Sequence, residues 1–295
     1  MNQKFHGLIA FPVTPTDAEG CFDRKAFRPL LDRLIESGVH GLAVLGSTGA
    51  GMYFSEQERK EIASVAAEII GNRVPLMIGT GAITTAETIR LSKHAESIGV
   101  DAVLIVPASY WPLTPQEVNG HFERIARVLT IPICVYNNPR TTQVDIYPEL
   151  AERLSSLPNI DTIKETSADI ARVTQLLESS GGKLSVAYGR DAGACEALIA
   201  GAHAWHSGIA NIIPRQCVQI FDLVKKAANY ELAKHRAAEI APLCRFASEK
   251  GLIRSVHAAL KLIGKDAGKP RAPIEALQGA DLELLQKHLT VLNLI

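Results

Sequence analysis

Three clusters along the chain combine residue types that could act together on one small molecule. The first is Ile163-Lys164-Glu165-Thr166. A free lysine has a pKa of ~10.4, so about 4 in 10⁴ are neutral at pH 7. An apolar setting that brought the pKa near ~7 would raise that fraction about a thousandfold, because desolvation disfavours the ammonium. The neutral amine attacks a ketone, and the iminium that follows is an electron sink for bonds at the adjacent carbon. The competing reading of Lys164 is an outward side chain paired with Glu165.

The second cluster is Leu45-Gly46-Ser47-Thr48-Gly49, within the glycine-rich residues 46–51. Glycines let a backbone approach a ligand closely, and N–H groups ahead of a helix suit an anion. The hydroxyls of Ser47 and Thr48 add donors, a good fit for a carboxylate. The spacing from Gly46 to Gly51 also matches the first half of a phosphate-binding loop, but Met52-Tyr53 replaces the Lys-Ser/Thr that such a loop needs. A tight turn with no ligand is the plain alternative. The third cluster is Tyr136-Asn137-Asn138-Pro139. Its phenol, with a pKa of ~10 when free, can shuttle a proton if a neighbouring hydroxyl relays it. Tyr110, in Ser109-Tyr110-Trp111-Pro112, reads by itself as a surface or interface aromatic. The nine histidines show no metal-ligand spacing; His203 and His206, three apart, fall on opposite faces of a strand. No G-x-G-x-x-G follows the first strand, which argues against a dinucleotide cofactor.

These clusters need elements to position them. Short apolar runs at residues 7–13, 41–45, 74–78, 102–106, 132–136, 161–164, 184–188 and 202–206 predict strands. Amphipathic stretches lie between them, for example 55–70, 85–98, 114–129 and 169–178. Ser55 with Glu58 has capping-box spacing, and Thr114-Pro115 reads as an N-cap followed by proline at the first helical position. Gly38, Gly71 and Gly99 fall where helices should stop. Eight alternating units predict a (β/α)₈ TIM barrel of the α/β class, with the three clusters converging at the C-terminal mouth. From residue 214 the pattern turns helical (216–229, 231–249, 255–263, 281–292). The expected division is a barrel over residues 1–213 and a C-terminal helical extension over 214–295 of the same domain.

The totals agree with such a barrel. The 295 residues are near the ~250 of a single barrel, and 47% are hydrophobic but only 5% aromatic. Lys+Arg and Asp+Glu both number 31, and no like-charge run stands out, which argues against a nucleic-acid or membrane surface. Five cysteines without C-x-x-C spacing argue against a disulfide framework or zinc knuckle and for a reducing, cytoplasmic setting. Residues 1–15 lack a cleavage site, and no apolar stretch nears the ~18 residues that span a bilayer.

On these motifs the chain resembles the dihydrodipicolinate synthase / N-acetylneuraminate lyase family. The resemblance runs from Phe5-His6-Gly7 and Val13-Thr14-Pro15 through the three clusters to Gly189-x-Asp191, the SGIAN of residues 207–211 and the helical tail. It implies that Lys164 is the Schiff-base lysine and Tyr136 the general acid/base. It implies further that Gly46, Ser47 and Thr48 hold the substrate carboxylate, with the Thr48 hydroxyl relaying protons. Gly189 and the backbone around His206 would line the pocket. Tyr110 would reach into a neighbouring subunit's site, so a homo-oligomer, commonly a dimer of dimers, is expected. No cofactor beyond the covalent lysine imine and no metal is implied. Two departures bear on specificity. The synthase branch has an arginine where Thr141 stands, with Arg140 one residue earlier, and many members have Glu where this chain has Ala50. The expected activity is a lyase acting on pyruvate or a 2-oxo acid, by aldol-type cleavage or condensation or by dehydration of a 2-oxo-3-deoxy sugar acid. The alternative is 4-hydroxy-tetrahydrodipicolinate synthase, condensing pyruvate with aspartate semialdehyde. A phosphate-binding barrel isomerase or aldolase using residues 46–51, and a metabolite-binding barrel without turnover, are the rivals from other classes.

Overall fold

Runs of Val, Ile, Leu and Ala leave no polar face, so each must be covered on both sides, which parallel strands under helices achieve. The computed structural model describes residues 3–295 and shows this arrangement. The strands are β1 (Gly7–Ala10), β2 (Gly41–Val44), β3 (Leu76–Gly79), β4 (Ala102–Ile105), β5 (Ile133–Asn137), β6 (Ile160–Glu165), β7 (Ser185–Tyr188) and β8 (Ala204–Ser207). All pair in parallel with their neighbours in chain order, and β8 closes onto β1. The helices are α1 (Arg24–Glu36), α2 (Glu56–Ile70), α3 (Thr85–Ser97), α4 (Pro115–Ala126), α5 (Pro139–Thr142), α6 (Pro148–Leu154), α7 (Ala171–Ser179) and α8 (Ala194–Ile199). They are followed by α9 (Pro214–Lys225), α10 (Tyr230–Lys250), α11 (Leu252–Leu262) and α12 (Gly279–Val291).

Both predicted helix starts form as read. Ser55 and Thr114 each accept from the backbone three residues on, while Glu58 and Glu117 reach back to the cap. Strand β1 stops at Ala10, short of the predicted 7–13. Phe11 N–H still reaches Ser207 O at 2.9 Å, but Pro12 has no N–H to continue the ladder. The expected boundary at 213/214 also changes meaning. Helix α9 packs against β1 and α8 as the eighth helix of the outer ring, so the added helices are α10, α11 and α12.

Two cores result. One lies between strands and helices, built on Leu, Ile and Val such as Leu8, Leu42, Ile78 and Val135. The other fills the barrel lumen with Ile9, Phe11, Ala43, Met77, Leu104, Cys134 and Tyr136. The β5–β6 pairing contains a bulge: Ile133 pairs Ile160, but Cys134 pairs Thr162, so Asp161 is an extra residue in β6. Above it Tyr136 pairs Lys164. In a register with Asp161 paired and no bulge, Tyr136 would face Ile163 and Lys164 would point out of the barrel.

Candidate functional site

Lys164 stands near the top of β6, inside the lumen and only 4% exposed. Its Nζ lies 3.6 Å from the Phe11 ring centroid and 4.2 Å from that of Tyr136. No carboxylate pairs with it among the described residues. Burial lowers its pKa to about 7, against smaller opposing contributions from Cys134 and Asp191. Roughly half the amines are then neutral at pH 7. Glu165 is not its partner: it lies on the opposite face of β6, accepting from Asn137 Nδ2 at 2.9 Å and from the Ser167 N–H. Asn137 in turn donates to Asp145 (2.8 Å) and accepts from Ile146 N (2.9 Å), which ties the strand tops together behind the lumen.

The Tyr136 hydroxyl accepts from Asn138 Nδ2 at 3.1 Å and, at a long 3.5 Å, from Ser47 Oγ. Burial raises its pKa to about 12, so the phenol keeps its proton at neutral pH. The relay expected of Thr48 is not found here. No hydrogen bond joins Thr48 to Tyr136 among the described residues, and Thr48 Oγ1 instead lies beside Gly208, where an added Cβ would come within 2.9 Å of it. Ser47 is the hydroxyl next to the phenol because consecutive residues of the turn point different ways.

The anion cradle also differs from its reading. At the N-terminus of α2 the capping box already takes up the Glu58 and Ser55 N–H groups. Nearer the lumen, the N–H groups of Ser47 and Thr48 have no acceptor among the described residues. The glycines around them serve the fold. A Cβ on Gly51 would lie 2.2 Å from the Leu45 carbonyl oxygen, and one on Gly46 would lie 2.7 Å from Phe11 Cδ1. Leu45 itself has φ 61°, and Thr14 Oγ1 donates to Gly49 O at 2.7 Å to pin the turn. Gly189 likewise makes room for a side chain, since a Cβ there would lie 2.5 Å from Lys164 Cε.

A cavity of about 410 Å³ gathers most of the predicted residues: Ser47, Thr48, Tyr136, Lys164, Gly189 and His206 line it. Arg140 lines it as well, exposed at the rim, with its guanidinium 3.5 Å from Ser248 O. Gly46 faces a neighbouring cavity of about 300 Å³, on which Ser47 and Tyr136 also border. Tyr110 is not brought in: it is 88% exposed on the loop after β4, and its neighbour Trp111 is 76% exposed. His206 contributes more than backbone. Its ring is 1% exposed, tilted 5.2 Å from the Phe11 ring, and neither ring nitrogen has a partner among the described residues. Burial keeps it neutral by pushing its pKa well below the usual value.

Sequence reasoning left out Phe11, Asn138 and Asp191 as site residues. Asp191 is buried and accepts from Trp205 Nε1 (3.0 Å), Ser207 Oγ (2.6 Å) and Ile209 N (3.0 Å), fixing the SGIAN turn to the loop after β7. Asn211 ends that turn, donating to Phe11 O at 2.8 Å and accepting from Val13 N at 3.1 Å. The Gly189-x-Asp191 and SGIAN motifs together therefore hold Phe11 beneath the amine. Among the described residues no group of three His, Cys, Asp or Glu could hold a metal ion.

Comparison with known proteins places this geometry. The model of the dihydrodipicolinate synthetase family matches residues 4–292. The 4-hydroxy-tetrahydrodipicolinate synthase of Syntrophobacter fumaroxidans is 30% identical over 292 residues, covering 99% of this chain and 100% of that one. The crystal structure of dihydrodipicolinate synthase from Agrobacterium tumefaciens superposes with a TM-score of 0.92 at 36% identity, covering 98% of both chains. The chloride-inhibited enzyme from Acinetobacter baumannii, complexed with pyruvate, gives a TM-score of 0.94 at 30% identity, covering 99% of this chain and 100% of that one. Matched along nearly its whole length in sequence and in fold, the chain belongs to the dihydrodipicolinate synthetase family and is an enzyme of that lyase family.

Proposed function

We propose that Lys164 forms an imine with a 2-oxo acid, pyruvate or a 2-oxo-3-deoxy sugar acid, with no cofactor beyond that covalent bond. The observation that carries the reading is the Lys164 amine, buried, without an acid partner, and facing the Tyr136 ring at 4.2 Å. The neutral amine adds to the C2 carbonyl, and the ketone oxygen takes a proton while the nitrogen gives one up, leaving a neutral carbinolamine. That hydroxyl leaves as water with a second proton, and the nitrogen lone pair forms the iminium. Electrons from a broken C3–C4 or C3–H bond are then held as the enamine. Tyr136 is the residue that gives and takes these protons. Its high pKa keeps it a donor, and Ser47 supplies the hydroxyl beside it. The N–H groups of Ser47 and Thr48 hold the C1 carboxylate.

The relatives' name supports condensation of pyruvate with aspartate semialdehyde as the second reading. Thr141, where the synthase branch has its arginine, counts for a different distal group. The exposed Tyr110 and Trp111, and the cavity behind Tyr136 that a phenol could enter, support a homo-oligomer in which Tyr110 of the partner subunit completes the proton relay. Four buried free cysteines, and the lack of a helix long and apolar enough to cross a membrane among the described residues, support a cytoplasmic setting. The test is borohydride reduction in the presence of pyruvate, followed by peptide mass spectrometry. A stable adduct on Lys164 is expected. Folded protein without one would overturn the proposal.

A further inference from the structure

The walls of the Lys164 cavity are unequally charged. Three arginines line it, Arg140 in α5, Arg190 in the loop after β7 and Arg254 in α11. None of the three forms an ion pair among the described residues. The only acid on the same walls is Asp191, and its carboxylate already accepts three hydrogen bonds from the protein. A charge-neutral chain has therefore gathered uncompensated cations around one concave site. Such a site focuses its field on an anion.

Topology says where that anion lies. In a closed barrel of eight strands in chain order, β2 stands across the lumen from β6. The Ser47–Thr48 cradle follows β2. Arg140 and Arg190 follow β5 and β7, the two neighbours of β6, and Arg254 comes in above them from the added helices. A 2-oxo acid with its C1 carboxylate at Ser47 and Thr48, and its C2 on the Lys164 amine between, extends its far end toward the arginines. Guanidinium forks match the paired oxygens of a carboxylate or phosphate. These are not the arginine of the synthase branch, whose place is taken by Thr141.

We infer that the substrate is a 2-oxo acid bearing a second oxyanionic group at its distal end, held by Arg190 and Arg254 with Arg140 at the rim. This rests on the imine reading above and narrows it. Pyruvate by itself fills only the Ser47–Thr48 end of the site, and longer 2-oxo acids that end in an alkyl or a neutral hydroxyl chain are excluded.

The test is competition in borohydride trapping on Lys164, read as the concentration of each acid that half-labels the protein. The pairs are 2-oxoadipate against 2-oxohexanoate, and 2-oxo-3-deoxy-6-phosphogluconate against 2-oxo-3-deoxygluconate. A hydrogen bond to a charged group is worth about tenfold or more in binding. The acid-tailed member of at least one pair should therefore label at a roughly tenfold lower concentration, and which pair responds tells carboxylate from phosphate. In Arg190→Gln and Arg254→Gln, each checked for fold by circular dichroism, that ratio should fall toward one, and Arg190→Lys should restore part of it. Equal labelling within both pairs, with pyruvate still trapped, overturns the inference and leaves the imine intact. A ratio unchanged in both glutamine variants also overturns it. Failure to trap even pyruvate removes the imine reading and this inference with it.

Discussion

A lysine ammonium buried beside Phe11 and Tyr136 has lost its water without gaining an anion, and the fold bears that penalty. Its pKa moves from 10.5 to about 7 on folding. Below pH ~7 both folded and unfolded chains hold the proton, and the full penalty applies. Between about 7 and 10.5 the unfolded chain binds more protons, so stability rises with pH; above that range the penalty is gone. Lys164→Met should therefore be more stable than the parent at pH 7, by on the order of 4 kcal/mol at most, and the gain should fade toward pH 10.5. The same variant should form no pyruvate adduct. Chemical denaturation at pH 6, 7.5 and 9.5 checks both sign and slope; a variant less stable at pH 6 would show that the amine is held by interactions other than those described. For the parent, the rate of imine formation should climb through pH ~7 as the neutral fraction grows. At this scale the sequence was informative about which amine and which phenol, since residue type and strand-end position name them. It was silent on which hydroxyl serves Tyr136, because neighbours in a turn such as Ser47 and Thr48 diverge by dihedral angles that no periodicity reports. It was silent too on Arg190 and Arg254, which gain meaning only when separate loops meet over one cavity.

The elements turn those residues into a site by register and by close approach. Eight strands were legible because each is a short apolar run bounded by turn residues, and their order follows from the right-handed crossover rule. The bulge at Asp161 was not: one extra residue in β6 leaves the composition unchanged yet decides whether Lys164 faces the lumen. The role of Gly189 was legible only in part for a related reason. A glycine at a strand end signals that something comes near, without saying what; Gly189 lines the cavity, and the close neighbour is the Lys164 side chain. Gly189→Ala should push Cβ to within 2.5 Å of Lys164 Cε. The amine can swing away more easily than the strand can move, so a stability loss of about 1–3 kcal/mol is expected. The larger effect should be on chemistry, with pyruvate trapping slowed by on the order of a hundredfold because misplacement of a reacting group by about 1 Å is that costly. If trapping is as fast as in the parent, the close packing of Gly189 on Lys164 does not position the amine.

At the scale of the whole molecule, the single chain encloses the amine, the cradle and the phenol but leaves Tyr110 and Trp111 in solvent. Exposed aromatics of that size on one loop mark a contact surface. A second cavity borders both Ser47 and Tyr136, the two groups that a relay would join. If the partner subunit's Tyr110 completes the relay, each active site draws on two chains, Lys164 from one and Tyr110 from the other. Two variants that are inactive separately, Lys164→Met and Tyr110→Phe, should then rescue each other. On co-refolding in equal amounts about half the pairs are mixed. In each mixed pair one site is built from the intact Lys164 of the tyrosine variant and the intact Tyr110 of the lysine variant, so roughly a quarter of parental turnover should return. If Tyr110 instead acts within its own chain, both lesions never leave one chain intact and no activity returns on mixing. If Tyr110→Phe is fully active by itself, the relay runs through Ser47 and solvent, and the exposed loop serves assembly alone. Pull-down of the mixture through an affinity tag carried by one variant, alongside turnover, separates a failure to exchange subunits from a failure to complement.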